Sequence, residues 1–157
     1  MIRLSFRSEL AAPAEAVWAT ASTMAGVNHE LHPWVHMTVP ASFGNRSLQE
    51  ATPEQLQGVL FRSVLLALCC IPFDVHALHL SRVLPGEGFN EQSTSWMQKS
   101  WMHRRRIAPI DGGCVVTDEL AVEPRVFFMV PVVRIVVGFL FRHRHQRLLE
   151  TFGKRAA

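Results

Sequence analysis

A chain of 157 residues with 48% hydrophobic and 18% charged side chains is long enough to bury a core as one domain. Its net charge of +3, pI of about 9.1 and mean hydropathy of +0.13 describe a slightly basic, rather apolar globular protein. Three cysteines, two of them adjacent (Cys69, Cys70 and Cys114), exclude a disulfide scaffold and fit a reducing compartment, so a cytoplasmic location is expected.

The opening "MIRLSFRSEL" alternates Ile2, Leu4 and Phe6 with Arg3, Ser5 and Arg7. That period predicts a strand, and the stretch lacks the apolar run of a signal peptide. "APAEAVWATAS" predicts a short helix to about Ala21, with Pro13 in its first turn and Glu15 at its positive end. "TMAGVNHEL" predicts a second short helical piece, broken at Gly26, and "HPWVHMTVP" an extended segment punctuated by Pro33 and Pro40. Residues 41–58 are polar and loop-like. A run of strands is expected from Val59 to Glu123, then one long helix from Pro131 to Phe152 with Gly153 as its stop.

Two strongly apolar stretches, 59–73 and 126–141, raise the question of a membrane span. Each is shorter than the ~20 residues a spanning helix needs. Arg62 and Arg134 interrupt them, and an arginine at the bilayer centre costs about 2.5–3.5 kcal/mol. Buried elements are therefore expected instead. The C-terminal cations Arg142, Arg144, Arg147, Lys154 and Arg155 read as a solvated helix end that suits the helix dipole, with a membrane surface as the alternative contact.

"PGEG" (85–88) and "DG" (111–112) predict hairpin turns, and a third turn must fall near Met97–Lys99, where no turn residues stand. In that register Arg82 faces Glu91, Glu91 faces Arg105, and Arg105 faces Asp118, a ladder of alternating charge across four strands. The same face carries Leu78, Leu80, Leu84, Phe89, Trp101, Ile107, Val116, Leu120 and Val122, so it is the inner one. Arg104 and Arg106 then point to water. Arg105 points inward and needs carboxylates, because an unpaired buried charge costs several kcal/mol. Val133, Val137, Phe141, Leu148, Leu149 and Phe152 form a stripe on the C-terminal helix with His145 inside it. Curved antiparallel sheet and helix would leave a gap between them where a ligand could sit.

The order of elements resembles the START-like helix-grip superfamily, which includes polyketide cyclases and dehydrases and the birch-pollen-allergen relatives. "SELAAPAEAVWATAS" is similar to its opening strand and helix, "GFNEQSTS" with Trp101, His103 and Arg105 to its central strand pair, and "GGCVVTDEL" to its return strand. The resemblance implies an α+β fold, a curved antiparallel sheet wrapped around a long C-terminal helix with two short helices after the first strand. It also implies that Trp101, His103 and Arg105 face the cavity, with Asp118 on the return strand. Arg105 stands where many relatives have a second histidine, and "HELHPWVHMTVP" departs from the common pattern.

The candidate ligand-facing residues are Phe89, Glu91, Trp101, His103, Arg105, Asp118 and Leu120 from the sheet, with Phe141 and His145 from the helix. Three roles are open to the polar members: an ion-pair network that sets strand register, an anchor for an amphiphilic ligand through the Arg105 fork, or acid–base chemistry at His103. No nucleophile elbow, phosphate loop or metal motif accompanies them. The groups His29/His32/His36, His76/His79 and His143/His145 lack the spacing of a metal set, and His145 reads as hydrogen-bonded within the gap. No cofactor and no nucleic-acid partner are expected. The expected function is binding or transport of a hydrophobic or amphiphilic small molecule. The alternatives are a cyclase- or dehydrase-like enzyme using His103 and Arg105, and lipid or quinone handling at a membrane surface.

Overall fold

The structure is a computed structural model and describes residues 1–157. The alternating first segment forms β1 (Ile2–Leu10). The helices α1 (Ala14–Ala21) and α2 (Met24–Leu31) follow, then the short strand β2 (Val35–Met37). Gly26 does not break α2. It lies inside the helix, where a Cβ would collide with the Thr20 carbonyl of α1, so glycine here permits close packing of the two helices. Residues 41–58 contain only short 3-10 turns, and Leu48 anchors them in the core.

The strand run resolves into β3 (Phe61–Ala67), β4 (Ile71–Leu78), β5 (Leu80–Leu84), β6 (Gly88–Ser95), β7 (Gln98–Ile110) and β8 (Gly113–Pro124). They form one antiparallel sheet in the order β1-β8-β7-β6-β4-β3-β2, with β5 paired to the other half of β6. The long helix α3 (Val130–Phe152) has a proline in its first turn and ends at Gly153, whose φ of 77° only glycine adopts freely. It packs on β1 and α2. This is the helix-grip arrangement.

Two apolar clusters stand either side of a polar layer. One joins α1, α2 and the β7–β8 hairpin around Trp18, Ile107 and Val116; the other sets Val133, Val137 and Phe141 of α3 against Ile2, Leu120 and Val122.

The register departs from expectation in two places. Arg105 pairs with Asp118, as the "DG" turn requires, but Glu91 pairs with His103 and not with Arg105. The β6–β7 turn is Trp96–Met97, ahead of the expected Met97–Lys99, and the pairing of the two strands is shifted by two residues. It holds without turn residues because Asp74 of β4 reaches it. Asp74 Oδ2 accepts from Ser95 Oγ at 2.6 Å, and Oδ1 accepts from the Met97 N–H at 3.2 Å. The second departure is a bulge between Leu80 and Arg82, which places Arg82 opposite Asn90 and turns it into solvent. The four-rung ladder is therefore replaced by a different network.

The apolar stretches 59–73 and 126–141 are not buried elements throughout. Leu68, Ile71 and Phe73 on the β3–β4 hairpin are exposed, as are Phe127, Phe128, Ile135 and Phe139 around the start of α3. No helix is long and apolar enough to cross a membrane.

Candidate functional site

A cavity of about 470 Å³ lies between the concave sheet face and α3, and 24 of its 31 lining residues are hydrophobic. That size and lining match sites that take small organic molecules. At its mouth the wall is made by Trp34, Leu68, Phe73, Val132, Val136 and Phe139; at its buried end stand His76, Glu91, His103 and Arg144.

Strand parity delivers the buried end. Phe89, Glu91 and Ser93 alternate inward on β6, and Trp101, His103, Arg105 and Ile107 do so on β7. Glu91 Oε1 accepts from Ser93 Oγ at 2.6 Å and lies 2.7 Å from His76 Nε2. His103 sits between two carboxylates, with Nε2 2.8 Å from Asp118 Oδ1 and Nδ1 3.5 Å from Glu91 Oε2. Phe89 and Phe141 hold its ring edge-on, at centroid distances of 5.2 and 5.1 Å. Burial would push the Glu91 carboxyl up, but the hydrogen bonds from His103 and His76 outweigh it and hold Glu91 far below the usual carboxylate range.

Arg105 is completely buried and its fork is spent on protein carboxylates. Nε and Nη2 donate to Asp118 at 2.8 and 2.7 Å, and Nη1 and Nη2 donate to Glu30 at 2.7 and 3.0 Å. Burial opposes the charges of all three groups, yet their mutual attraction wins. Asp118 is held well below its ordinary range, Glu30 is lowered by Arg105 and Arg144, and Arg105 is raised further. Asp118 Oδ2 also lies 3.0 Å from His145 Nε2, whose Nδ1 is 2.7 Å from Ser8 Oγ. A serine hydroxyl, a ring and a carboxylate are thus in line, but Ser8 and His145 are outside the cavity wall.

Arg144 is the cation that meets the cavity. Its Nε donates to Glu30 Oε2 at 2.9 Å and its Nη2 lies 2.8 Å from the same oxygen. Its guanidinium carbon is 4.8 Å from the Phe141 ring centroid, and its Nη1 makes no hydrogen bond to the protein. A second vacant polar atom, the buried Gln98 Oε1, also belongs to the wall and has no partner.

Of the residues expected from sequence, Phe89, Glu91, Trp101, His103 and Phe141 line the cavity. Arg105, Asp118, His145 and Leu120 do not; the first three lie in the buried network behind the wall. Arg105 pairs with Glu30 where Glu91 was expected, for the register reasons above. Arg144, read from sequence as part of a solvated tail, is buried, whereas Arg142 is exposed and Arg147 and Arg155 bond to His29 and Glu9. Sequence reasoning missed Glu30, His76 and Arg144. The signal for Arg144 was present: it lies three residues after Phe141 and four before Leu148, within the apolar stripe. Glu30 likewise sits three residues after Val27 on the buried side of α2.

A family profile described as a domain of unknown function, DUF8410, matches residues 8–152. The chain belongs to the DUF8410 family. Its fold is that of the START-like superfamily. CV1439 from Chromobacterium violaceum is 13% identical, superposes with a TM-score of 0.70, and the match covers 96% of this chain and 97% of that one. A START superfamily protein from Mycobacterium smegmatis is 15% identical with a TM-score of 0.67 and 96% coverage of both chains. The structure of Ara h 8.0201 is 9% identical with a TM-score of 0.57, covering 95% of this chain and 98% of that one. No curated protein matches the sequence. At these identities the likeness is one of fold.

Proposed function

We propose that this DUF8410 protein binds an amphiphilic small molecule whose apolar body fills the cavity and whose polar group meets Arg144 at the buried end. The observation that carries the reading is a largely apolar cavity ending in buried polar side chains, one of which, Arg144, keeps a free guanidinium nitrogen. A carboxylate, phosphate or enolate oxygen suits that nitrogen. The unpaired Gln98 oxygen suits a hydroxyl or amide donor nearer β8. Arg105 supports the site from behind by holding Glu30 and Asp118. Displacement of a fluorescent anilinonaphthalene sulfonate by dodecanoate and by dodecanol tests this. Dodecanoate should bind more tightly, and Arg144→Met should remove that preference, by about tenfold or more for a lost charge-assisted hydrogen bond. Equal binding of acid and alcohol to both proteins would refute the anchor, and failure of both to displace the probe would refute the cavity.

One observation favours a second reading, enzymatic proton transfer of the cyclase or dehydrase type. The His76–Glu91 pair, 2.7 Å apart, faces the cavity together with His103. In this version His76 replaces Arg105 at the substrate. Exchange of the α-protons of a bound β-diketone into deuterated water, lost in His76→Gln, would favour it; exchange at the solvent rate would dismiss it.

A further inference from the structure

We propose that the cavity mouth docks on an anionic lipid surface. The six mouth residues Trp34, Leu68, Phe73, Val132, Val136 and Phe139 line the cavity and are exposed at the same time. They come from three separate parts of the chain: the segment before β2, the β3–β4 hairpin and the first half of α3. Phe127 (84% exposed) and Phe128 (68%) immediately precede α3, and Ile135 (69%) lies on it between Val132 and Phe139; none of the three belongs to the cavity wall. Isolated exposed apolar side chains are ordinary, but a contiguous patch of this kind marks a contact surface.

The charges around the patch select the occupant. Arg125, Arg134 and Arg142 are exposed, and residues 124–149 contain no aspartate or glutamate at all. In 59–73 the sole charged residue is Arg62, and the nearby Asp74 is buried. A second copy placed face to face would therefore set arginines against arginines with no acid to answer them. Anionic headgroups answer them directly, and aromatic side chains beside arginines are the composition of a membrane-interface surface. A bilayer would also meet the open end of the cavity, so an apolar molecule could pass between them without crossing water. This goes beyond ligand binding and needs no ligand for its test.

The test is flotation of the whole protein with phosphatidylcholine vesicles, with and without phosphatidylglycerol. Binding should require the anionic lipid and weaken steeply toward about 1 M salt, where screening shortens to ~3 Å. Phe127→Glu/Phe128→Glu changes two exposed side chains outside the cavity and should abolish flotation. Arg134→Glu should weaken it by at least about fivefold, the worth of one interfacial cation. Arg3→Glu, the same charge change on an exposed residue of β1, should leave it nearly unaltered. Circular dichroism melts establish that each variant folds. No flotation of the wild type overturns the proposal, and so does an equal loss in Arg3→Glu, which would mean net charge alone. A wild-type dimer dissolved by Phe127→Glu/Phe128→Glu, without flotation, would assign the patch to a second copy and overturn it as well.

Discussion

Replacing Arg105 by methionine keeps much of the side-chain volume and removes four charge-assisted hydrogen bonds at once. Glu30 would keep Arg144, but Asp118 would be left with only the two histidine rings. Removing one member of a buried ion network costs about 3–5 kcal/mol, chiefly because the partner charge stays buried without an answer. For a chain of this size each kcal/mol shifts Tm by about 2–4 °C, so a fall of roughly 6–20 °C is expected at neutral pH. Two further results should follow. Adding Asp118→Asn removes the orphaned charge, and the double variant should recover part of the loss, a coupling that a mere packing defect would not show. The deficit should also narrow on acidification. Without Arg105 the buried Asp118 carboxyl binds a proton more readily, while the wild-type network is losing its own advantage. Thermal melts, with urea melts for the free energies, followed by circular dichroism at pH 7 and pH 4 measure all of this. An Arg105→Met melt within about 2 °C of wild type would refute the view that this network holds the sheet to the helices.

Glu30, Glu91 and Asp118 are all held below their ordinary values, so the native state binds fewer protons than the unfolded chain in acid. Their contribution is fully present above the unfolded pKa values near 4 and is lost as pH falls toward the folded ones; urea midpoints should drop steadily below about pH 5, and a flat profile would contradict the assignment. Asp74→Ala strands the Ser95 hydroxyl and the Val75 and Met97 N–H donors and should cost about 1–3 kcal/mol, read by the same melts, whereas a cost below the error of the fit would mean the β6–β7 turn needs no help.

Local chemistry made much of this molecule legible. Period-two alternation marked β1 and the strands β6 to β8, the "DG" turn set the β7–β8 register and with it the Arg105–Asp118 pair, and proline and glycine bounded α3. The same parity showed that Arg105 points inward while Arg104 points out, where it pairs with Glu119. What Arg105 meets was beyond local reach. The β6–β7 turn has no turn residues of its own and is set by Asp74 from a third strand, and a single bulged residue in β5 reversed the face of Arg82. A slip of two residues preserves parity, so the inward residues of β6 and β7 were right and only their pairing with each other was wrong. Glu30 and Arg144 become partners only when α2 and α3 close over the sheet, bringing together side chains 114 positions apart. Apolar composition could not distinguish a buried strand from an exposed rim, because hydrophobicity states the cost of contact with water and only the packed fold decides which residues bear it.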